Sequence, residues 1–190
     1  MRFVTFAAAA ALVLAACNQQ GTGAPLPPVQ EGAQAPSTQT APVGPVQQAQ
    51  ITPEQREQFL GRVRQYLDMA TNQLGGGSTA AQGFSDETAA MQPGSDHRWN
   101  VELVGGTSYR IIGACDDDCS NLDLELIDVS TGGVVASDML QDDFPIVDFT
   151  PQNNGRYIVR LLMQTCTVAP CFAGARVLTG GAQSGGGKQR

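Results

Sequence analysis

Leu122-Asp123-Leu124-Glu125-Leu126 alternates apolar and acidic side chains without a break. Successive side chains of an extended chain point to opposite faces. The stretch therefore reads as a strand with its leucines turned to a core and its carboxylates turned to solvent. The same period of two recurs on either side. Upstream, Trp99, Val101 and Leu103 alternate with Asn100, Glu102 and Val104; Gly105-Gly106 makes a turn, and Tyr109, Ile111 and Gly113 share one face. Downstream, Thr131-Gly132-Gly133 separates the central strand from Val134-Val135, and Pro145 to Phe149 has the length of one short strand. Gly155 precedes the alternating Tyr157, Val159, Leu161 and Met163, and Phe172 to Leu178 closes the set. Short strands with turn residues between them predict an antiparallel sandwich or barrel over 84–179. Roughly a hundred residues are enough for one core.

Before the strands the period is helical. Thr52-Pro53-Glu54-Gln55 has the form of a capping box with proline in the first turn. Leu60, Val63, Leu67, Ala70 and Leu74 then recur at spacings of three and four, flanked by Phe59 and Tyr66, until Gly75-Gly76-Gly77. This predicts one amphipathic helix over 51–75. Its apolar stripe is too short for a coiled coil and is expected to pack on its own domain. Residues 17–50 are rich in Gln, Pro, Ala, Gly and Thr, and Glu31 is their only charged side chain. Such a composition predicts a disordered linker with a span of roughly 30 Å. A second disordered segment, the Gly-rich tail, is expected over 180–190.

The chain opens with Arg2 and an uncharged, Ala-rich run from Phe3 to Ala16. That run is shorter than the ~20 apolar residues of a spanning helix and reads as a signal peptide over 1–16. Leu14-Ala15-Ala16-Cys17 resembles the lipobox of bacterial lipoproteins. The resemblance implies cleavage before Cys17, acylation of that cysteine, and a lipid-anchored place in the bacterial cell envelope. Asn18, where aspartate retains some lipoproteins on the inner membrane, implies the outer membrane, facing the periplasm or the surface. Removing residues 1–16 takes away Arg2 and moves the formal charge from −7 to −8. So acidic a chain excludes nucleic acid as a partner, and its attachment must come from acyl chains instead of a basic patch.

Four further cysteines form two close pairs, Cys115 with Cys119 and Cys166 with Cys171. Each pair brackets a segment of hairpin-loop length, so disulfides across the base of two hairpins are expected for an exported chain. The spacing does not decide among the three connectivities; cross-pairing between the two turns is the next alternative. The three aspartates Asp116, Asp117 and Asp118 begin a run of ten acidic residues, ending at Asp148, that contains no lysine or arginine. Asp116, Asp117, Asp118 and Asp123 are candidate calcium ligands because hard carboxylate oxygens suit Ca²⁺. The EF-hand pattern fails, however, at Asn121 and Ile127, and a solvated acidic face that keeps sheet edges soluble is the favoured reading. No cofactor is otherwise expected.

Catalytic constellations are not evident. His97 is the sole histidine, and neither a G-x-S-x-G nor a P-loop occurs. His97 is expected near a strand start at the surface. The region 99–178 resembles the bacterial pre-peptidase C-terminal domain. The features that carry the resemblance are Tyr109 with Gly113, Asp123-Leu124-Glu125-Leu126 followed by Asp128, Gly132-Gly133, Phe149-Thr150-Pro151 and Gly155-Arg156-Tyr157-Ile158-Val159. It implies a non-catalytic, jelly-roll-like β-sandwich, appended in many exported proteins to hydrolases and in some linked to calcium or matrix binding. No peptidase precedes the domain here. The expectation is thus a mostly β, non-enzymatic envelope lipoprotein whose sandwich binds a partner protein or envelope polymer. The alternatives are a purely structural envelope protein and a carboxylate-dependent hydrolase.

Overall fold

A computed structural model describes residues 21–38 and 46–181. The expected signal peptide, Cys17 and the tail beyond residue 181 lie outside the described residues. The elements are β1 (Gly21–Gly23), β2 (Gln47–Gln48), α1 (Pro53–Leu74), β3 (Thr79–Ala80), β4 (Glu87–Met91), β5 (Asp96–Leu103), β6 (Tyr109–Cys115), β7 (Cys119–Asp128), β8 (Val134–Asp138), β9 (Ile146–Phe149), β10 (Gly155–Cys166), β11 (Val168–Ala169) and β12 (Cys171–Thr179).

Eight of these strands make the sandwich. One sheet runs β5-β10-β7-β8 and the other β4-β12-β6-β9, all antiparallel. Numbered one to eight along the chain, their orders are two-seven-four-five and one-eight-three-six, which is a jelly roll. Only β7 and β8 are both consecutive and paired, with the Thr131-Gly132-Gly133 turn between them. Every other step along the eight strands passes from one sheet to the other.

The alternation read from the sequence sets the main core. Val101, Leu103, Leu122, Leu124, Leu126, Val159, Leu161 and Met163 from one sheet meet Ile111, Ala173, Ala175 and Val177 from the other. The second faces of both sheets are covered as well. On the β4-β12-β6-β9 sheet lies α1, capped by the reciprocal Thr52–Gln55 bonds. Its Leu60, Val63 and Leu67 bury against Ala114 and Phe172, and Ala70 against Ile112 and Leu178. Each large apolar side chain so buried contributes about 1.5–3 kcal/mol. Leu74, the last residue of the expected stripe, is exposed.

The other outer face carries the largest departure from expectation. Asp123 and Glu125, expected in solvent, are each only 3% exposed. Residues 21–38, expected as part of a disordered linker, are a strap across this face, and residues 46–50 also dock through β2 on β11. Chain atoms hold the strap at several points. β1 pairs in parallel with β5, Ala24 N donates to Arg98 O at 2.9 Å, Gln30 N to Thr131 O at 2.8 Å, and Val134 N to Gln34 O at 2.8 Å. Low hydrophobicity did not leave this segment free, because the sheet already presents backbone and charged groups for it to satisfy.

Beneath the strap, Arg160 is the centre of a buried charge network. It donates to Asp96, to Glu125 Oε2 at 2.8 Å and to the carbonyl of Ser37 at 2.8 Å. Ser37 N donates in turn to Glu125 Oε1 at 2.8 Å. Arg98 Nε stands 3.2 Å from Asp96 Oδ1, so two guanidiniums balance two carboxylates. Gly21 passes so close above this group that a Cβ there would lie 2.0 Å from Arg98 Nη2 and 2.1 Å from Asp96 Oδ1. Gly23 has φ +98° and would put a Cβ 1.9 Å from Arg98 O, which is why the strap begins Gly-Thr-Gly.

Removing one member of a buried pair leaves the other charged and unpaired, so Arg160→Met is expected to cost about 3–5 kcal/mol of stability in urea unfolding. Arg62→Met, which breaks the exposed Arg62–Asp117 pair, should cost within about 1 kcal/mol. Equal losses in the two variants would contradict the network's structural role.

Candidate functional site

The two cysteine pairs sit at one end of the sandwich, at crossovers between the sheets instead of at hairpins. Cys115 ends β6 in one sheet and Cys119 begins β7 in the other; Cys166 ends β10 and Cys171 begins β12 in the opposite sheet. Pairing is local, with Cα–Cα distances of 5.9 Å for Cys115–Cys119 and 6.1 Å for Cys166–Cys171, inside the range that a bridge spans. The two turns nevertheless meet. Cys119 stands opposite Cys166 in register, and Thr167 N donates to Asp118 O at 2.8 Å. Spacing alone showed that a short bridge was feasible; it did not show that the chain changes sheets inside it.

The candidate calcium ligands point in four directions. Asp116 is buried, and its Oδ2 accepts from Phe172 N at 3.0 Å. Asp117 accepts from Arg62 and Tyr66 on α1. Asp118 accepts from Thr167 Oγ1 at 3.2 Å, and Asp123 lies on the outer sheet face, accepting from Gln164 Nε2 at 2.6 Å. Among the described residues no three His, Cys, Asp or Glu side chains are grouped so as to hold a metal ion. The acidic run is therefore neither one solvated face nor one ligand set, because the crossover sends its members to different layers.

His97 lies at the start of β5, as expected, but it is occupied. Nδ1 is 3.0 Å from Thr22 Oγ1 on β1 and Nε2 is 3.0 Å from Glu87 Oε1 on β4. The imidazole, stacked on Trp99 with centroids 5.8 Å apart, thus clasps the strap to one sheet and that sheet to the other.

The opposite end holds a groove of about 840 Å³. Its walls are the β7–β8 turn, with Asp128 and Ser130, and the segment from Phe149 through Tyr157 that leads into β10. Neighbouring contacts set its shape. Asp128 Oδ1 accepts from Ser130 N and Oγ, both at 2.7 Å, which closes the turn. Gly106 N donates to Pro151 O at 2.7 Å, and Gly105 N to Asn154 Oδ1 at 2.9 Å, tying the 104–107 loop to the 150–154 loop. Phe149 meets Tyr157 edge-on at 5.3 Å. Burial, followed by the charge of Asp128, raises the Tyr157 phenol above its ordinary pKa, so it stays a donor at neutral pH. Arg156 lines both this groove and a neighbouring cavity of about 300 Å³; it is exposed and makes no ion pair with any described residue. The Gly155-Arg156-Tyr157 stretch was legible as a strand start. Its place beside the β7–β8 turn was not, because β7 and β10 become neighbours only through the jelly-roll order. No described helix is long and apolar enough to cross a membrane. No family model matches the chain, and no curated protein matches it.

The carboxyls of Asp116 and Asp123 are each raised to about 6, chiefly by burial, against the opposing effect of the bonds from Phe172 N and Gln164. In each, Oδ1 has no hydrogen-bond partner among the described residues. A raised folded-state value means the folded protein holds the proton more tightly. The stabilisation it brings is complete below the unfolded value near 3.8 and is lost as pH rises through 6. Asp116→Asn keeps an acceptor for Phe172 N and removes the ionised form. It is therefore expected to raise stability at pH 7.5 by up to about 2 kcal/mol and to flatten the dependence between pH 4 and 6 in thermal melts. A variant less stable than the parent at pH 7.5 would rule out a desolvated charge at this position.

Proposed function

We propose that this chain is a non-catalytic envelope lipoprotein, anchored through an acylated Cys17, whose β-sandwich binds a hydroxyl-rich envelope polymer in the groove at the end remote from the cysteines. The observation that carries the reading is Arg156, a cation without an ion-pair partner among the described residues, on the divide between two open cavities of a strongly acidic protein. Gln152, Asn153 and Ser130 add amide and hydroxyl groups, and Tyr157 and Phe149 add aromatic surface. Polar groups of this kind orient a ligand of many hydroxyls, while the aromatic edges supply apolar contact.

The resemblance of 99–178 to the pre-peptidase C-terminal domain belongs to the same proposal, since it implies a sandwich without chemistry of its own. The groove is far from His97, and both nitrogens of that imidazole serve the clasp between strap and sheets.

Two measurements test the reading. Cys17→Ser should abolish incorporation of labelled fatty acid and release the protein from membranes; undiminished labelling would remove the lipoprotein reading. Purified peptidoglycan sacculi should pull the parent protein down, and Arg156→Ala should weaken that sedimentation about tenfold with an unchanged melting temperature, the loss of one charged contact in a polar site. If parent and variant both stay in the supernatant, the groove does not serve this polymer and the purely structural role takes its place.

A further inference from the structure

We infer that the folded body stands on the membrane in one orientation, with the disulfide end against the lipid and the groove end facing away, and that the Gln92–Ser95 turn belongs to the lipid-facing surface. The inference rests on the acylation of Cys17 proposed above, and it replaces a long flexible tether with a short lead.

Chain length carries the first part. Gly21 is paired beside Asp96, and the following residues are bonded to β5, to the β7–β8 turn and to Glu125 and Arg160. Only four peptide units separate Cys17 from Gly21, and four units reach at most about 14 Å. A free 17–50 linker would instead have let the domain drift and tumble at roughly 30 Å. Docking of the strap removes that freedom.

Direction carries the second part. β1 runs parallel to β5, with Gly21 at Asp96 and Gly23 at Arg98. The chain therefore comes onto the sheet from the end where β5 begins. The same end holds the Gln92–Ser95 turn, bonded through Gly94 N to Met163 O at 2.8 Å. It also holds Gln48, which reaches Gln92 at 3.0 Å, and both cysteine crossovers. On β10, Leu162 stands beside Asp96 and Gly155 beside Leu103. Those seven steps place the groove about 23 Å further from the anchor.

The chemistry of this end fits a zwitterionic lipid surface. Gln48, Gln92, Ser95 and Thr167 offer uncharged donors and acceptors. The aspartates of the first crossover are already engaged: Asp116 is buried, Asp117 is paired with Arg62 and Tyr66, and Asp118 accepts from Thr167. The half-buried Asp142 and Asp143 lie at this end too, beside Leu122 and Cys115. The arginines described at this end, Arg62 paired with Asp117 and Arg56 over the Phe172 ring, stand beside acidic Asp142 and Asp143, so the acyl chain and the short lead enforce the contact, and added salt should not disturb it.

The test uses the full, acylated chain in phosphatidylethanolamine vesicles, with the photoreactive residue benzoylphenylalanine placed at position 92 or at position 152. Lipid adducts at 92 should exceed those at 152 by about tenfold, as a lead of four residues requires. Inserting twenty Gly/Ser residues between Asn18 and Gln19 leaves the strap docked but lengthens the lead to roughly 25 Å, and should bring the two yields close together. Equal adducts at 92 and 152 in the parent, with the Cys17 peptide shown acylated by mass, would overturn the orientation while leaving the lipoprotein reading intact. So would a yield ratio that the insertion does not change. A Cys17 peptide without acyl groups would bring down both.

Discussion

Arg160 is buried between Asp96 and Glu125 on a sheet face that would otherwise meet water, and its third partner is the backbone carbonyl of Ser37. A guanidinium can be dehydrated only where its donors meet acceptors, and carboxylates so placed require its charge. The last of these acceptors comes from the strap. The strap in turn gains Glu125 as an acceptor for the Ser37 amide. Neither the outer face nor the N-terminal segment is satisfied without the other. From that mutual dependence follow the docking of residues 21–38 and the two distinct ends of the sandwich, one with the cysteine crossovers and one with the groove.

The jelly-roll order accounts for the remaining features. Because nearly every step between strands passes from one sheet to the other, the crossovers gather at the two ends of the sandwich. At one end the two short disulfides hold crossovers that lie against each other through Thr167 and Asp118. Pairing within each turn and contact between the turns coexist, because Cys119 and Cys166 are neighbours on adjacent strands. At the other end, the β7–β8 turn and the segment leading into β10 wall the groove, and the 104–107 loop is bonded to the 150–154 loop, so Arg156 projects from a supported position instead of a free loop.

Helix α1 and the strap cover the two outer faces by different means. The helix supplies an apolar stripe to Ala114, Phe172 and Ile112, and its gain is hydrophobic. The strap has little apolar surface to offer and is held by backbone pairing and charge. This difference explains why the helix could be read from spacing and capping, whereas the strap's polar, proline-rich composition resembled that of a disordered chain.

The sequence by itself determined the elements whose order is local. Leu122 to Leu126 alternates because a strand buries every second side chain. Thr52 and Gln55 start a helix because they satisfy its first amides, and close cysteines join across a short turn. Only the tertiary structure decided which face of β7 was truly outside. Alternation distinguishes two faces but says nothing of what covers the second, and here Asp123 and Glu125 are buried by Arg160, Gln164 and a segment more than eighty residues away. The same holds for the scattering of Asp116, Asp117 and Asp118 and for the groove around Arg156. Their partners are set by which strands become neighbours, and that depends on the packing of two sheets, a property of the whole chain.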